Sequence, residues 1–333
     1  STLSIKVPSY RATKDVTIAV DIVEEIARMY GYDNIPYTPV VASLRPVEQS
    51  VEHTMEYDSK LILAQKYGLN EVHTYIWNDE KTLKELNLDT KGYVKVLNST
   101  VKDNGEIRSE IVPSLLKVVN DNKKQLSNIG VFEIGRVCTG LDKDNLCIEE
   151  KHLGICLSSQ EKTEKDLYFE LKDMLSTLVE TELHASLEFR IGQANTLLAH
   201  PKNNAEIIIN GKSCGYIALL HPKSVAKIGK NISVAMLEIN FSKFAMQVTP
   251  VSKVQELTKY QTNQLDLNFV VDKNEIYQNV EKVLLSYKTD LDYSVKLVDV
   301  YQDEILLPNK KSLTFSFEIS SKTHTLVSDE LDK

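Results

Sequence analysis

The chain is 333 residues long, 42% apolar and 26% charged, with 39 basic against 47 acidic side chains and a net charge of −8. That length points to two or three domains, the mixed charge and the small share of glycine and proline exclude disordered and collagen-like classes, and no run approaches the ~20 apolar residues of a membrane span. Only six of the basic residues are arginines, none beyond Arg190, which speaks against strong bidentate gripping of nucleic-acid phosphates.

Residues 1–8 lack the basic-then-apolar pattern of a signal peptide, and the chain opens on Ser1. The expectation is a cytoplasmic protein cut from a longer chain or freed of a tag. Ser4 to Val7 reads as a short strand. Asp21, with Glu24 three residues later, reads as the N-cap of a helix that carries Ile22, Ile26, Met29 and Tyr30 on one face and stops at Gly31. Pro36, Pro39 and Pro46 make Tyr37 to Pro46 a linker.

The middle of the chain alternates helices with strands. The spacing predicts helices over Met55 to Tyr67, Ile111 to Asn120 and Leu167 to Val179, with strands over Val72 to Trp77, Val131 to Val137 and Val234 to Ile239. Ala205 to Ile209 and Lys212 to Leu220, joined by Asn210-Gly211, give the strongest local signal, a hairpin with a type I′ turn. The order implies an α+β fold, an antiparallel sheet flanked by helices. The last eighty residues read as strand (Leu265 to Val271), helix (Ile276 to Tyr287), strand (Ser294 to Val300) and strand (Leu313 to Ile319). This βαββ order is an incomplete split-βαβ unit, and Lys333 is expected to be an artificial or processed terminus.

Several chemistries drop out. No two glycines lie two residues apart, so dinucleotide and kinase glycine loops are absent. Gly130 to Gly135 has Walker spacing, but Arg136-Val137 replaces Lys-Ser/Thr and the intervening residues look like strand. Cys138, Cys147, Cys156 and Cys214 contain no Cys-x-x-Cys pair and read as reduced core thiols. His200-Pro201 and His221-Pro222 read as turns. Asp21, Glu24 and Glu25 share a helix face that Asp15 can reach; oxygen-only ligands of this kind suit magnesium, and a solvated helix cap is the alternative.

The run Val7-Pro8-Ser9-Tyr10-Arg11 through Asp15, followed by Asp21-Ile22-Val23-Glu24-Glu25-Ile26-Ala27-Arg28-Met29-Tyr30-Gly31-Tyr32-Asp33-Asn34-Ile35-Pro36, closely resembles the small magnesium-contacting module of bacterial phenylalanyl-tRNA synthetase β chains. Leu97-Asn98-Ser99, Ile107-Arg108-Ser109-Glu110 through Leu116, and Val131 through Val137 look like the same chain's synthetase-like module. Lys259-Tyr260 through Leu267, Asp299-Val300-Tyr301 and Leu307 through Leu313 resemble its C-terminal ferredoxin-fold anticodon-binding domain.

The resemblance implies three pieces. Residues 1–40 would be an α/β magnesium module, 41–250 a class II synthetase-like antiparallel sheet without catalysis, and 251–333 a ferredoxin-like anticodon-binding domain short of its end. It assigns magnesium contact to Asp15, Asp21, Glu24 and Glu25, and tRNA contact to Lys259, Lys310 and Lys311. It implies a phenylalanyl-tRNA synthetase α subunit as partner, in a heterotetramer of two α and two β chains. ATP would sit at the α-subunit site, tRNA(Phe) would be the nucleic acid, and no membrane would be involved. No catalytic residue is expected here, because Arg108 alone cannot make a class II ATP site.

Departures from the family pattern at Gln261, Leu265 and Lys202-Asn203, with ten lysines against fourteen acids over residues 251–333, argue against strong autonomous RNA binding. They leave a second reading, an assembly module without tRNA binding.

Overall fold

The computed structural model describes residues 2–78, 80–86, 88, 93–99, 105–246 and 259–331. The chain divides into two units, residues 1–248 and 249–333. The expected boundary at 250/251 falls outside the described residues.

Helix α1 (Ala19–Tyr30) starts earlier than its acids suggest. Ile18 is the N-cap and Asp21 is the third helical residue, whose carboxylate reaches back to accept from the N–H groups of Thr17 (2.7 Å) and Ile18 (2.9 Å). The expected N-cap role of Asp21 is therefore corrected: it satisfies orphan donors from inside the first turn. Gly31, at φ 90°, ends the helix as predicted. The expected strand at Ser4 to Val7 does not form, because no described strand lies beside it to take its backbone groups. Within residues 2–40 the structure is therefore helix, one 3₁₀ turn (Tyr32–Asn34), hydrogen-bonded turns over residues 9–15 and extended chain, not α/β. Residues 36–50 carry no regular structure, as the prolines require.

Helix α2 (Val51–Leu61), capped by the Ser50 hydroxyl, runs on as a π-helical turn over Ile62–Lys66. Then come β1 (Asn70–Glu71), β2 (Trp77–Asn78), α3 (Glu80–Glu85), β3 (Glu106–Ile107), α4 (Val112–Asn122), β4 (Asn128–Leu141) and β5 (Cys147–Ser159). They are followed by α5 (Glu164–Ser176), β6 (Leu187–Ile191), β7 (Ala199–Ile209), β8 (Lys212–Leu220), α6 (Pro222–Ile228), β9 (Ser233–Asn240) and α7 (Phe241–Ala245). The large sheet has the order β1-β4-β5-β9-β8-β7-β6. It is mixed rather than purely antiparallel, since β1 runs parallel to β4. Of the predicted strand over Val72 to Trp77 only Trp77 lies in a strand, β2, since β1 ends at Glu71. Between β1 and β2, Thr74 turns its N–H and hydroxyl onto the Glu133 carboxylate instead of a neighbouring strand.

Both faces of this sheet are covered. Phe132, Leu153, Ile155 and Leu237 pack with residues of α2, α5 and α7, while Val131, Cys156, Ala218 and Met236 pack with α3, α4 and α6. Burying side chains on both faces is what turns strands such as β9 into nearly continuous apolar runs. At the β7–β8 hairpin, Asn210 (φ 48°) and Gly211 (φ 76°) adopt the left-handed geometry of the predicted turn.

The second unit holds β10 (Asn263–Asp272), α8 (Tyr277–Leu285), β11 (Asp292–Tyr301), β12 (Lys310–Ser320) and the short α9 (Ser328–Leu331). Its sheet order is β10-β12-β11, antiparallel throughout, so the predicted βαββ unit is present. Leu313, Phe315 and Phe317 of β12 are buried under α8, with Tyr277 stacked on Phe315 at 5.8 Å. Among the described residues, no helix is long and apolar enough to cross a membrane.

Candidate functional site

The four N-terminal acids do not converge. Arg11 lies between two of them, donating from Nε to Asp15 (2.5 Å) and from Nη2 to Glu25 (2.6 Å), and Arg28 takes the other oxygen of Glu25 at 2.6 Å. Asp21 is engaged by backbone N–H groups, and Glu24 is exposed. Hydrogen bonds from Arg11 and then Arg28 hold the Glu25 carboxyl down at about 2. Those from Ile18 and then Thr17 lower Asp21. As a donor set, four carboxylates match a hard cation. As an arrangement they do not, because two are neutralised by guanidinium groups, and among the described residues no three acidic, histidine or cysteine side chains are gathered as a metal would require. In this conformation the residues do not fit a magnesium site.

A second constellation, which sequence reasoning missed, sits where α4 meets the sheet. Helix N-termini leave N–H groups unpaired and attract anions. Here Glu238 of β9 fills that position, accepting from the N–H groups of Ile111 and Val112 at 3.0 Å. His152 Nδ1 lies 2.7 Å from Glu238, and its Nε2 lies 3.2 Å from Glu150, which also accepts from Asn240. Nearby, Glu110 accepts from the Tyr216 hydroxyl (2.9 Å) and Thr196 (3.0 Å). Removal from water, then the charge of Glu238, pushes Glu110 up to about 7. Burial works to lower His152, but the carboxylates of Glu238 and Glu150 outweigh it and raise it.

Arg108 is spent in the same region. It donates to Glu133 (2.8 Å), Thr74 (2.8 Å) and the Arg136 carbonyl (2.9 Å) and is 3% exposed. A Cβ on Gly135 would run into this guanidinium, so the glycine makes its room. Chemically the region is a set of acids and one histidine bound to each other, with its arginine turned inward. The available signal was an acid inside an apolar strand, Glu133 in Val-Phe-Glu-Ile and Glu238 in Met-Leu-Glu-Ile. The Gly130 to Gly135 spacing lies inside β4, and both His-Pro dipeptides cap turns: His200 accepts from Lys202 and Asn203, and His221 from Lys223.

The three lysines also stay apart. Lys259 is exposed just before β10, near the end where Asn263 pairs with Ile319; Lys310 pairs with Asp272 at the other end. Those ends are about 30 Å apart at the rise of a strand. Lys311 donates to the Glu275 carbonyl at 2.6 Å. On the sheet face away from α8, the register places Asp266, Asp272, Asp299 and Glu318 with Lys296 and Lys310, among Gln264, Asn268, Ser312, Thr314 and Ser316. That face is rich in hydroxyls and amides, and acids outnumber bases.

Comparison with known proteins gives three matches in chain order. The "tRNA synthetase B5 domain" matches residues 1–32, the "Phenylalanyl tRNA synthetase beta chain CLM domain" residues 35–241, and the "Ferredoxin-fold anticodon binding domain" residues 258–333. The phenylalanine–tRNA ligase β subunit of Listeria monocytogenes serotype 4b (strain F2365) is 29% identical over 346 residues, covering 99% of this chain and 42% of the relative. That of Syntrophus aciditrophicus (strain SB) is 26% identical with the same coverage. The chloroplastic subunit of Phaeodactylum tricornutum (strain CCAP 1055/1) is 26% identical over 99% of this chain and 47% of its own length. The chain thus spans less than half the length of these relatives.

Proposed function

The chain belongs to the phenylalanyl-tRNA synthetase β-chain family, and from that premise we propose that it acts as a non-catalytic part of a phenylalanine–tRNA ligase. It would hold an α chain that performs the ATP-dependent charging of tRNA(Phe) and help position the tRNA, in the cytoplasm and in a heterotetramer of two α and two β chains. The observation that carries this reading is the succession of the three matched segments along one chain. The inward use of Arg108 supports the non-catalytic part, since adenylate chemistry needs cationic groups aimed at phosphates and this one is bound to Glu133.

On this reading residues 1–40, 41–250 and 251–333 are the B5-type, class II synthetase-like and anticodon-binding pieces. The partner surface includes α1, where Val20, Val23, Ile26 and Met29 are all exposed. A mostly apolar cavity of about 600 Å³ lies between this helix and the preceding segment, lined by Ile5, Val7, Val16, Ile22 and Met29 among others. An apolar surface of this kind fits burial by a protein. No step runs through magnesium. Asp15, Asp21, Glu24 and Glu25 remain the face proposed to contact it at the α-chain boundary. Lys259, Lys310 and Lys311 remain the proposed tRNA contacts.

The acidic open face of the β10-β12-β11 sheet favours a second reading, an assembly module that binds no tRNA. The deciding experiment mixes the purified chain with the α chain. A stable complex by sedimentation, with ATP–pyrophosphate exchange only in the mixture, is expected. Exchange by this chain alone, or no complex, sinks the subunit reading; a complex whose tRNA affinity is unchanged by Lys259→Ala and Lys310→Ala favours the second.

A further inference from the structure

Two of the four cysteines have no part in the sites above and lie beside each other. Cys138 on β4 pairs with Glu149 on β5, and the next rung toward the turn joins Leu141 to Cys147. Between those rungs β4 carries one residue more than β5, a bulge at Thr139-Gly140. Cys138 and Cys147 are therefore diagonal neighbours on one face of the hairpin, where side chains can reach each other. The Cys138 N–H turns away from β5 to the Arg108 carbonyl at 2.9 Å, which makes Cys138 and Glu149 a pair of the narrow, non-hydrogen-bonded kind. Cys138 Sγ donates to the Gly140 carbonyl at 3.2 Å, so the sulfur leans toward the turn and the Cys147 rung. There the Cys147 thiol donates in turn to Cys138.

The surroundings give the two sulfurs different parts. Cys138 is 3% exposed, whereas Cys147 is only half-buried, so a reagent from solvent meets Cys147 first and Cys138 lies behind it. The hydrogen bond to Cys138, then burial, then the nearby Cys138 and Glu149, pushes the Cys147 thiol up to about 11. The pair therefore rests as two free thiols. The other two cysteines cannot form such a pair, because Cys156 and Cys214 pack on opposite faces of the large sheet.

We propose that Cys138 and Cys147 are a reversible redox site, in which a small disulfide of the glutathione type closes a bond between them. The Cys147 thiolate attacks one sulfur of glutathione disulfide, the sulfur–sulfur bond breaks and one glutathione thiolate leaves. Cys138 gives up its proton and attacks the Cys147 sulfur of the mixed disulfide, expelling the second glutathione. The protein loses two electrons and two protons, and the oxidant becomes two thiols. Because the attacking thiolate is scarce near neutral pH, the exchange is slow there and quickens as pH rises. The closed ring takes in the bulge and the turn in which the Asp142 N–H bonds the Leu146 carbonyl, so oxidation fixes the end of the hairpin. The inference is independent of α-chain assembly and of the anticodon-binding unit.

The test holds the reduced 333-residue chain with glutathione disulfide at mildly alkaline pH and counts its thiols after unfolding. The expected result is a fall from four thiols to two, with two hydrogens lost in mass and no glutathione retained. A digest should contain one peptide pair joined through Cys138 and Cys147, and dithiothreitol should restore all four thiols. Cys138→Ser should stop at the mixed disulfide and carry one glutathione on Cys147, while Cys147→Ser should keep its three thiols. Four thiols surviving in the natural chain overturn the proposal. So does a product that only retains glutathione, joins two chains, or links Cys156 or Cys214. The peptide map of the natural chain decides the matter even if either variant folds poorly.

Discussion

Arg11 decides the behaviour of the N-terminal acids. Like charges at i, i+3 and i+4 repel, and Arg11 relieves this by joining Asp15 to Glu25 while Arg28 takes the remaining oxygen. Glu25, held at about 2, is a carboxylate with a depressed folded-state pKa. Its contribution to stability is therefore complete above the ordinary carboxylate range and is lost as pH falls from there through about 2. Carboxyl NMR should find this low midpoint, and Arg11→Ala should return it toward the ordinary range. Glu110 has the opposite sign. With a folded pKa of about 7 against an ordinary value of 4.5, the folded state holds the proton more tightly, so stability falls as pH rises between those values. Urea unfolding across that window should show a decline of no more than about 3 kcal/mol, and Glu110→Gln should remove it, leaving only the slope due to His152. A flat wild-type profile would contradict the assignment. The acids at 15, 21, 24 and 25 were legible as a cluster because they are close in sequence. The Glu238 contact with Ile111 was not, because the partners lie 127 residues apart and no local pattern encodes them.

At the scale of elements, legibility followed the local signal. The β7–β8 hairpin and the βαββ order were readable because turn chemistry and alternation act within a few residues. Strand β5 was not assigned: its first half is charged (Glu149, Glu150, Lys151), its second half is buried on both faces, and neither half alternates. The strand over Val72 to Trp77 failed for a different reason, since Glu133 captures Thr74 and tertiary hydrogen bonding overrides β propensity. The hairpin turn carries a clear expectation. Gly211 sits at φ 76° with open space around its missing Cβ, so Gly211→Ala should cost only the left-handed backbone penalty of about 1–2 kcal/mol. That cost should appear as a lower denaturation midpoint, with the unfolding slope unchanged.

For the molecule as a whole, the low arginine count and the acidic balance find a structural counterpart. Arg108 is internal, Arg11 and Arg28 are committed to acids, and the open face of the second unit's sheet is acidic. Because the four N-terminal acids are not gathered, the chain by itself should show no change in thermal midpoint on adding millimolar magnesium or chelator. A clear magnesium-dependent rise, measured by calorimetry, would mean that Arg11 yields those acids without a partner. The family was readable from the sequence through its resemblance; the mixed sheet was not, because the two-residue β1 is too short to announce its direction.

The placement of β12 has a consequence in time. Both β10 and β11 bond only to β12 among the described strands, and β12 follows both in sequence. Asn263 meets Ile319 across 55 intervening positions, so a chain leaving the ribosome delivers β10, α8 and β11 before the strand on which both β10 and β11 pair. Loop closure must be met before any rung forms. The middle strand is made after both of its neighbours, and β10 and β11 wait, strand edges open, until it arrives.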